Sequence, residues 1–463
     1  MPDSAPPPRL LGVLFLGTFL AALDLAVVGP ALPALREAFG VDERAVAWVF
    51  TAFVLANLAG LPVMAALSDR LGRRAVYLTD LGLFAAGTVV VMLAPSFGVL
   101  LAGRVVQGLG ASGIFPVATA VVGDTFPPET RGRAVGVLGA VFGVAFLVGP
   151  ALGGIMLEFL SWRWLFGLSL PLAALAIALS ARTVPDTRAP NPRPVDVPGM
   201  VLLTALLAAL ATGLSGLDAE ADWLRLGEAA VWAPLVLSAA LLAALVAVER
   251  QSAAPLVRPA LVSRRAVQVA CALAVGAGLV EATFVFLSAY AVEAFGVTKQ
   301  LGSYLLLPLT AGVAVGAPVA GRTIDRMGVR PVVTAGCALV ALGLAGIALG
   351  PPLVGHVAAT VAVGVGLAGL LGSSISYILL VEAEVGERTL AQGLSTLFLS
   401  VGQLSGAAMI GAIAASAAVP VAGYRAAFGA LAVVALGLAV VARALPQRAA
   451  SVPAPPASRR GRR

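Results

Sequence analysis

Asp24, Arg104 and Glu281 each lie well inside an apolar stretch of the chain. If such a stretch crosses a bilayer, a charge near its middle costs about 2.5–3.5 kcal/mol on insertion scales and persists where it has a partner or a wet cavity. At 1.5 Å per helical residue, Asp24 falls roughly 10 Å from one end of its stretch, and Arg104 about as far from the same-side end of its own. The two can meet. A carboxylate beside a guanidinium can link the entry of a cationic molecule to the release of a proton, so Asp24 and Arg104 are assigned to proton coupling; the competing reading is a fixed structural ion pair. Glu281 stands 257 residues after Asp24, and about 24 Å of helix separates it from Arg265. It is expected to face a central cavity opposite Asp24, both acids contacting substrate. A carboxylate without a fixed counter-ion favours a cationic guest, with Leu279, Val280, Phe284 and Phe286 accepting the guest's apolar body. Asp80, six residues after Arg74, is expected to pair with a nearby loop arginine.

The elements that must position these residues are membrane spans. Of 463 residues, 60% are hydrophobic and 11% charged, and the mean hydropathy is +0.99, so most of the chain cannot face water. A soluble globular protein is excluded. The net charge of +7 comes from arginines dispersed between apolar runs, which argues against nucleic-acid binding. Cys271 and Cys337 lie within apolar stretches and read as packing residues, and His356 reads as a surface residue in a short connection. No metal, cofactor or enzymatic activity is expected, since no ligand cluster and no nucleophile, base and orienter constellation stands out. The first run, Leu10 to Ala31, is too long for a signal-peptide core and reads as a retained span.

Stretches of about 20 apolar residues, enough to cross a core about 30 Å thick, begin near residues 10, 45, 75, 97, 133, 164, 198, 229, 266, 300, 331, 353, 390 and 421. That predicts an all-α membrane protein of fourteen spans. Placing the termini and even-numbered connections on one side collects 23 arginines there against six basic residues opposite. The positive-inside bias then puts both termini in the cytoplasm of a bacterial inner membrane. Ala65 to Arg74 recurs as Ala320 to Arg330 at an offset of 256, with Asp69 and Arg70 matching Asp325 and Arg326. The expected organisation is a six-span half at residues 1–185, a linker with two further spans at 186–261, a second six-span half at 262–445 and a disordered tail at 446–463.

Four motifs resemble the major facilitator superfamily and, within it, the fourteen-span drug:proton antiporter family. Asp69-Arg70-Leu71-Gly72-Arg73-Arg74 is similar to the superfamily's loop motif, with Ala65 where that motif usually begins with glycine. Arg104-Val105-Val106-Gln107-Gly108 resembles the membrane-embedded arginine motif, and Gln107 joins Asp24, Glu281 and Phe284 as a candidate substrate contact. Gly149-Pro150-Ala151-Leu152-Gly153-Gly154 is similar to the antiporter motif, and Leu23-Asp24 with Ala31-Leu32-Pro33 to a motif of the fourteen-span branch. The resemblance implies a monomeric exporter that moves small amphipathic molecules against protons by alternating access, with multidrug efflux and antibiotic resistance as the associated roles. A transporter dedicated to one endogenous metabolite is the alternative, and a non-transporting receptor a third class. Asp69, Arg70, Gly72, Arg73, Arg74, Asp325, Arg326, Gly149, Pro150, Gly153 and Gly154 are expected to form the conformational gate. Asp69 would accept from helix-terminal amides of the other half, while loop arginines pair with Asp124 or Glu129. Gly364 to Gly369 fits a dinucleotide fingerprint in form only; inside a span it reads as helix packing.

Overall fold

In a bilayer, backbone polar groups must be paired within the segment, so a chain this apolar crosses as helices. The computed structural model describes residues 9–188, 196–215, 229–252, 263–371, 374–375, 378–379 and 388–445. All regular structure among them is helical, and fourteen helices are long and apolar enough to cross a membrane. Taken as spans 1 to 6, they are Leu10–Phe39, Glu43–Leu71, Arg73–Met92, Phe97–Thr125, Pro128–Phe159 and the pair Arg163–Gly167 and Ser169–Thr183. Spans 7 and 8 are Val197–Ser215 and Ala229–Glu249. Span 9 is the pair Arg265–Glu281 and Thr283–Phe295, span 10 the pair Lys299–Tyr304 and Leu307–Met327, and spans 11 to 14 are Val329–Ala348, Leu353–Leu371, Arg388–Ser416 and Pro420–Ala442. The expected tail at 446–463 and the exposed segment between spans 7 and 8 lie outside the described residues.

Local chemistry sets the turns. The Asp42 side chain accepts from the Ala45 amide (2.7 Å) to start span 2. Gly40 and Gly296 end spans 1 and 9 in the left-handed region, at φ 62° and 61°.

Spans 3 and 4, 2 and 4, and 1 and 5 pack closely, and the same pairings recur among spans 11 and 12, 10 and 12, and 9 and 13. Lipid offers helices no hydrophobic drive to associate, so close packing through small residues does the work. In the seam of spans 3 and 4, a Cβ at Gly87, Gly103 or Gly110 would overlap neighbouring backbone; Gly364 and Gly366 do the equivalent on spans 10 and 11. The glycine-rich stretch of span 12 is thus a packing surface. Span 8 packs on span 7, and span 7 touches both span 2 and span 13.

Two expectations are corrected. His356 is not at the surface: it is fully buried in span 12, between the rings of Tyr290 (5.6 Å) and Phe295 (5.2 Å). Proline and glycine before it suggest a loop, but the helix has already begun at Leu353. Asp80 does not pair with a loop arginine. It is fully buried, and neither carboxylate oxygen has a hydrogen-bond partner among the described residues.

Candidate functional site

Asp24 and Arg104 meet. Arg104 Nη1 donates to Asp24 Oδ2 (2.6 Å) and to Gln107 Oε1 (2.9 Å), and Nε donates to the Val49 carbonyl (3.0 Å). Gln107 Nε2 donates to Asp24 Oδ1 (3.1 Å) and to Thr88 Oγ1 (2.8 Å). The guanidinium also lies over the Phe53 ring, 4.4 Å from its centroid. Asp24, Arg104 and Gln107 are all fully buried. Each oxygen of the carboxylate accepts a hydrogen bond, one from Arg104 and one from Gln107.

Glu281 has a different setting. Span 9 breaks at Ala282, which places Glu281 at the end of one helical piece and Phe284 and Val285 on the same side of the next. These three line a narrow pocket together with Leu25, Ala26 and Gly29 of span 1, Phe50 of span 2, Phe146 and Pro150 of span 5, and Gln403 of span 13. The free space between these walls is only about 20 Å³, so they lie nearly closed on one another in this conformation, and one charged group among mainly apolar walls is the usual make-up of a small-molecule site. Gln403 Nε2 donates to Glu281 Oε2 (2.9 Å), and the Phe146 and Phe284 rings meet edge to face at 5.7 Å.

Asp24 and Gln107 do not line this pocket, although they were expected to contact substrate. Leu25, Ala26 and Gly29 present span 1 to it, and Asp24 points into the seam with span 4. Of the four apolar residues expected beside Glu281, Phe284 reaches the pocket; Val280 and Phe286 are buried in packing. Gln403 escaped the sequence reading. It stands 257 residues after Phe146, so the repeat offset applied to span 5 would have flagged it.

At the end of the bundle remote from the termini, the amino-terminal and carboxy-terminal helices are tied together. Arg36 of span 1 bridges Glu43 of span 2 and Glu293 of span 9, Lys299 pairs with Glu37, and the Tyr424 hydroxyl donates to Glu43. Ser303 Oγ donates to the Pro150 carbonyl (2.7 Å), Gly153 packs against Pro30 and Ser303, and Gly154 against the Tyr304 ring. Gly149 packs on Ala26. The span 5 motif therefore forms part of this closure. The acids have a repeat logic that sequence reading missed: Arg36 to Gly40 reads REAFG and Val292 to Gly296 reads VEAFG. Glu37 and Glu293 are equivalent, and each takes a cation from the opposite set of helices.

At the terminal end the loop motif is engaged within the amino-terminal helices. Arg73 bonds Ser68 (2.9 Å), Asp69 and Asp124 (3.2 Å); its amide donates to the Thr187 carbonyl (2.9 Å), and Arg74 Nε donates to the Val184 carbonyl (2.6 Å). The pairing with Asp124 matches expectation. Asp69 meets Arg73 rather than a helix start in the other half. Gly72 turns at φ 109°, Arg70 and Arg326 are exposed, and the side chains of Glu129 and Asp325 lie outside what the structure describes.

A profile of the Major Facilitator Superfamily matches residues 14–407 and 269–463. The chain is 31% identical over 402 residues to an uncharacterized MFS-type transporter, YfiU, of Bacillus subtilis, covering 85% of this chain and 77% of that one. It is 28% identical over 411 residues to the multidrug resistance protein Stp of Mycobacterium tuberculosis, covering 87% and 74%. Among solved structures, a peptide transporter POT in complex with sulfate superposes with a TM-score of 0.71 at 18% identity, over 95% of this chain and 96% of the other.

Proposed function

This chain belongs to the Major Facilitator Superfamily, and from that premise we propose that it is a proton-coupled exporter of amphipathic, cationic organic compounds. The observation that carries the reading is the division of labour between two intramembrane acids. Glu281, which accepts a hydrogen bond from Gln403, sits in a largely aromatic and aliphatic pocket and is suited to meet a cation; its cost of burial falls when a lipophilic cation enters. Asp24 is held by Arg104 and Gln107 beside the pocket and is placed to carry a proton. Leu25 and Ala26, next to Asp24 in sequence, face the guest, so a guest that moves span 1 disturbs the Asp24 bonds without touching them.

Alternating access then works between residues 1–185 and 262–445 as two bodies. The ionic closure formed by Arg36, Glu37, Glu43, Glu293 and Lys299 holds the remote end shut. The loop motif engages the opposite half once the bodies rock, while span 7 lies against spans 2 and 13 and carries span 8 on its outer side. The protein acts as a monomer in a bacterial inner membrane with both termini cytoplasmic, and resistance to toxic compounds is its physiological output. The multidrug resistance name of a relative over 87% of this chain supports that substrate class.

The test is transport of a labelled lipophilic cation in proteoliposomes with an imposed pH gradient. Uphill accumulation that collapses with the gradient is expected; counterflow indifferent to pH sinks the proton coupling. The closure has its own expected outcome. Arg36→Gln removes two partly exposed ion pairs, each worth up to about 1 kcal/mol, so the population open at the remote end should rise roughly tenfold. A cysteine placed at Ser303 should become correspondingly faster to label with an impermeant thiol reagent, and an unchanged rate would show that the pairs do not hold the closure.

A further inference from the structure

Asp80 is the one acidic residue of span 3, and among the described residues nothing bonds either oxygen of its carboxyl. A Cβ on Gly113 of span 4 would overlap the Asp80 carboxyl, and the same spot is bordered by Met64 of span 2. Charged groups on the neighbouring helices are committed or turned away. On span 3 itself, Arg73 is held by Ser68, Asp69 and Asp124, Arg74 by the Val184 carbonyl, and the Tyr77 hydroxyl donates to the Leu14 carbonyl (3.4 Å). Span 2 carries Glu43 and Arg44 at its remote end and Asp69 and Arg70 at the other. Span 4 offers Arg104, bound to Asp24, and Asp124; span 6 offers Arg163, donating to the Ala94 carbonyl, and exposed Arg182. On span 1, packed beside Tyr77, the ionisable residues are Asp24, Arg36 and Glu37, whose partners are given above.

We propose that Asp80 is a second proton-binding carboxyl, neutral in the conformation described and deprotonated when the seam between spans 3 and 4 shifts. A buried carboxylate lacking both donor and counter-ion keeps its full desolvation cost, so the neutral acid is the form this packing accepts. The seam supplies the link to transport. Gly87, Gly103, Gly110 and Gly113 pack along it without room for a Cβ, and the bond from Gln107 to Thr88 ties the Asp24 cluster to span 3 eight residues beyond Asp80. Opening the Asp24 cluster frees Gln107, and movement of span 4 along span 3 carries Gly113 away from the Asp80 carboxyl. The exposed acid then gives its proton to water at the terminal end of the bundle and takes the next from water admitted at the remote end before the seam closes, so each cycle moves across a proton beyond that on Asp24.

The inference rests on the proton-coupled reading, and the measurements separate the two. In infrared difference spectra of the full chain in lipid, taken between acid and alkaline conditions, the carbonyl stretch of a buried protonated acid should vanish in Asp80→Asn and remain in Asp24→Asn. Asp80→Ser serves equally where the asparagine variant folds poorly. In proteoliposomes, the ratio of protons to substrate should fall by one in the Asp80 variants, with gradient-driven transport retained. A band and a proton ratio both unchanged by loss of the Asp80 carboxyl overturn the proposal. Absence of gradient-driven transport in the unaltered protein overturns the coupling instead, and the infrared band still decides whether Asp80 holds a proton.

Discussion

Asp24→Asn should reduce accumulation of substrate under a pH gradient to the level seen without one, while downhill exchange persists. The asparagine keeps the shape of the side chain and removes the proton site. It also leaves the buried Arg104 without its anionic partner, which costs on the order of 3–5 kcal/mol. A lower Tm is therefore expected alongside the lost coupling, and a second variant separates the two effects. In Asp24→Asn with Arg104→Gln no charge remains buried at the site, so the Tm should recover most of the loss and proton-driven transport should not. Full gradient-driven accumulation in either protein would rule Asp24 out as the carrier, and recovery of transport together with Tm would make the pair a structural one.

Glu281→Gln should weaken binding of lipophilic cations about tenfold or more, equivalent to 1.4 kcal/mol, and change neutral compounds of similar size by no more than about twofold. The reasoning is that the other lining residues are apolar, aromatic or, at Thr310 and Gln403, neutral polar, so the carboxylate is the sole charge among them. Removing it leaves the hydrophobic contribution intact for every guest. Binding measured by fluorescence quenching for a matched cation and neutral pair decides the matter. Equal losses for both, or none, would move the recognition of charge elsewhere in the protein.

Depth along a helix is legible in a sequence, and rotation about its axis much less so. The meeting of Asp24 with Arg104 followed from counting residues at a fixed rise. Which of Asp24 and Leu25 faces the pocket did not, because successive residues on a helix point about 100° apart and both faces of span 1 are apolar. For the same reason Glu281 and Phe284 line the pocket while Phe286, expected beside them, is buried in packing: the break at Ala282 resets the phase of span 9. Charge counting by side hid the ionic ties between the two sets of helices. Arg36 and Lys299 entered that count as exposed basic residues, although each reaches an acid on the opposite set of helices. Asp80 was misjudged because an acid near a basic loop reads as a partner for it, and the arginines there already have nearer acceptors.

Lys299 is the single lysine in the chain, and its ammonium is spent on Glu37 across the closure. Amine-directed chemistry thus has one side-chain target in the whole protein, and under the proposed cycle that target is ion-paired when the remote end is shut and freed when it parts. A fluorophore or crosslinker that reacts with primary amines becomes a reporter of the conformational cycle in unmodified protein, without engineered cysteines, and acylation at this position would remove one of the ties that hold the closure together.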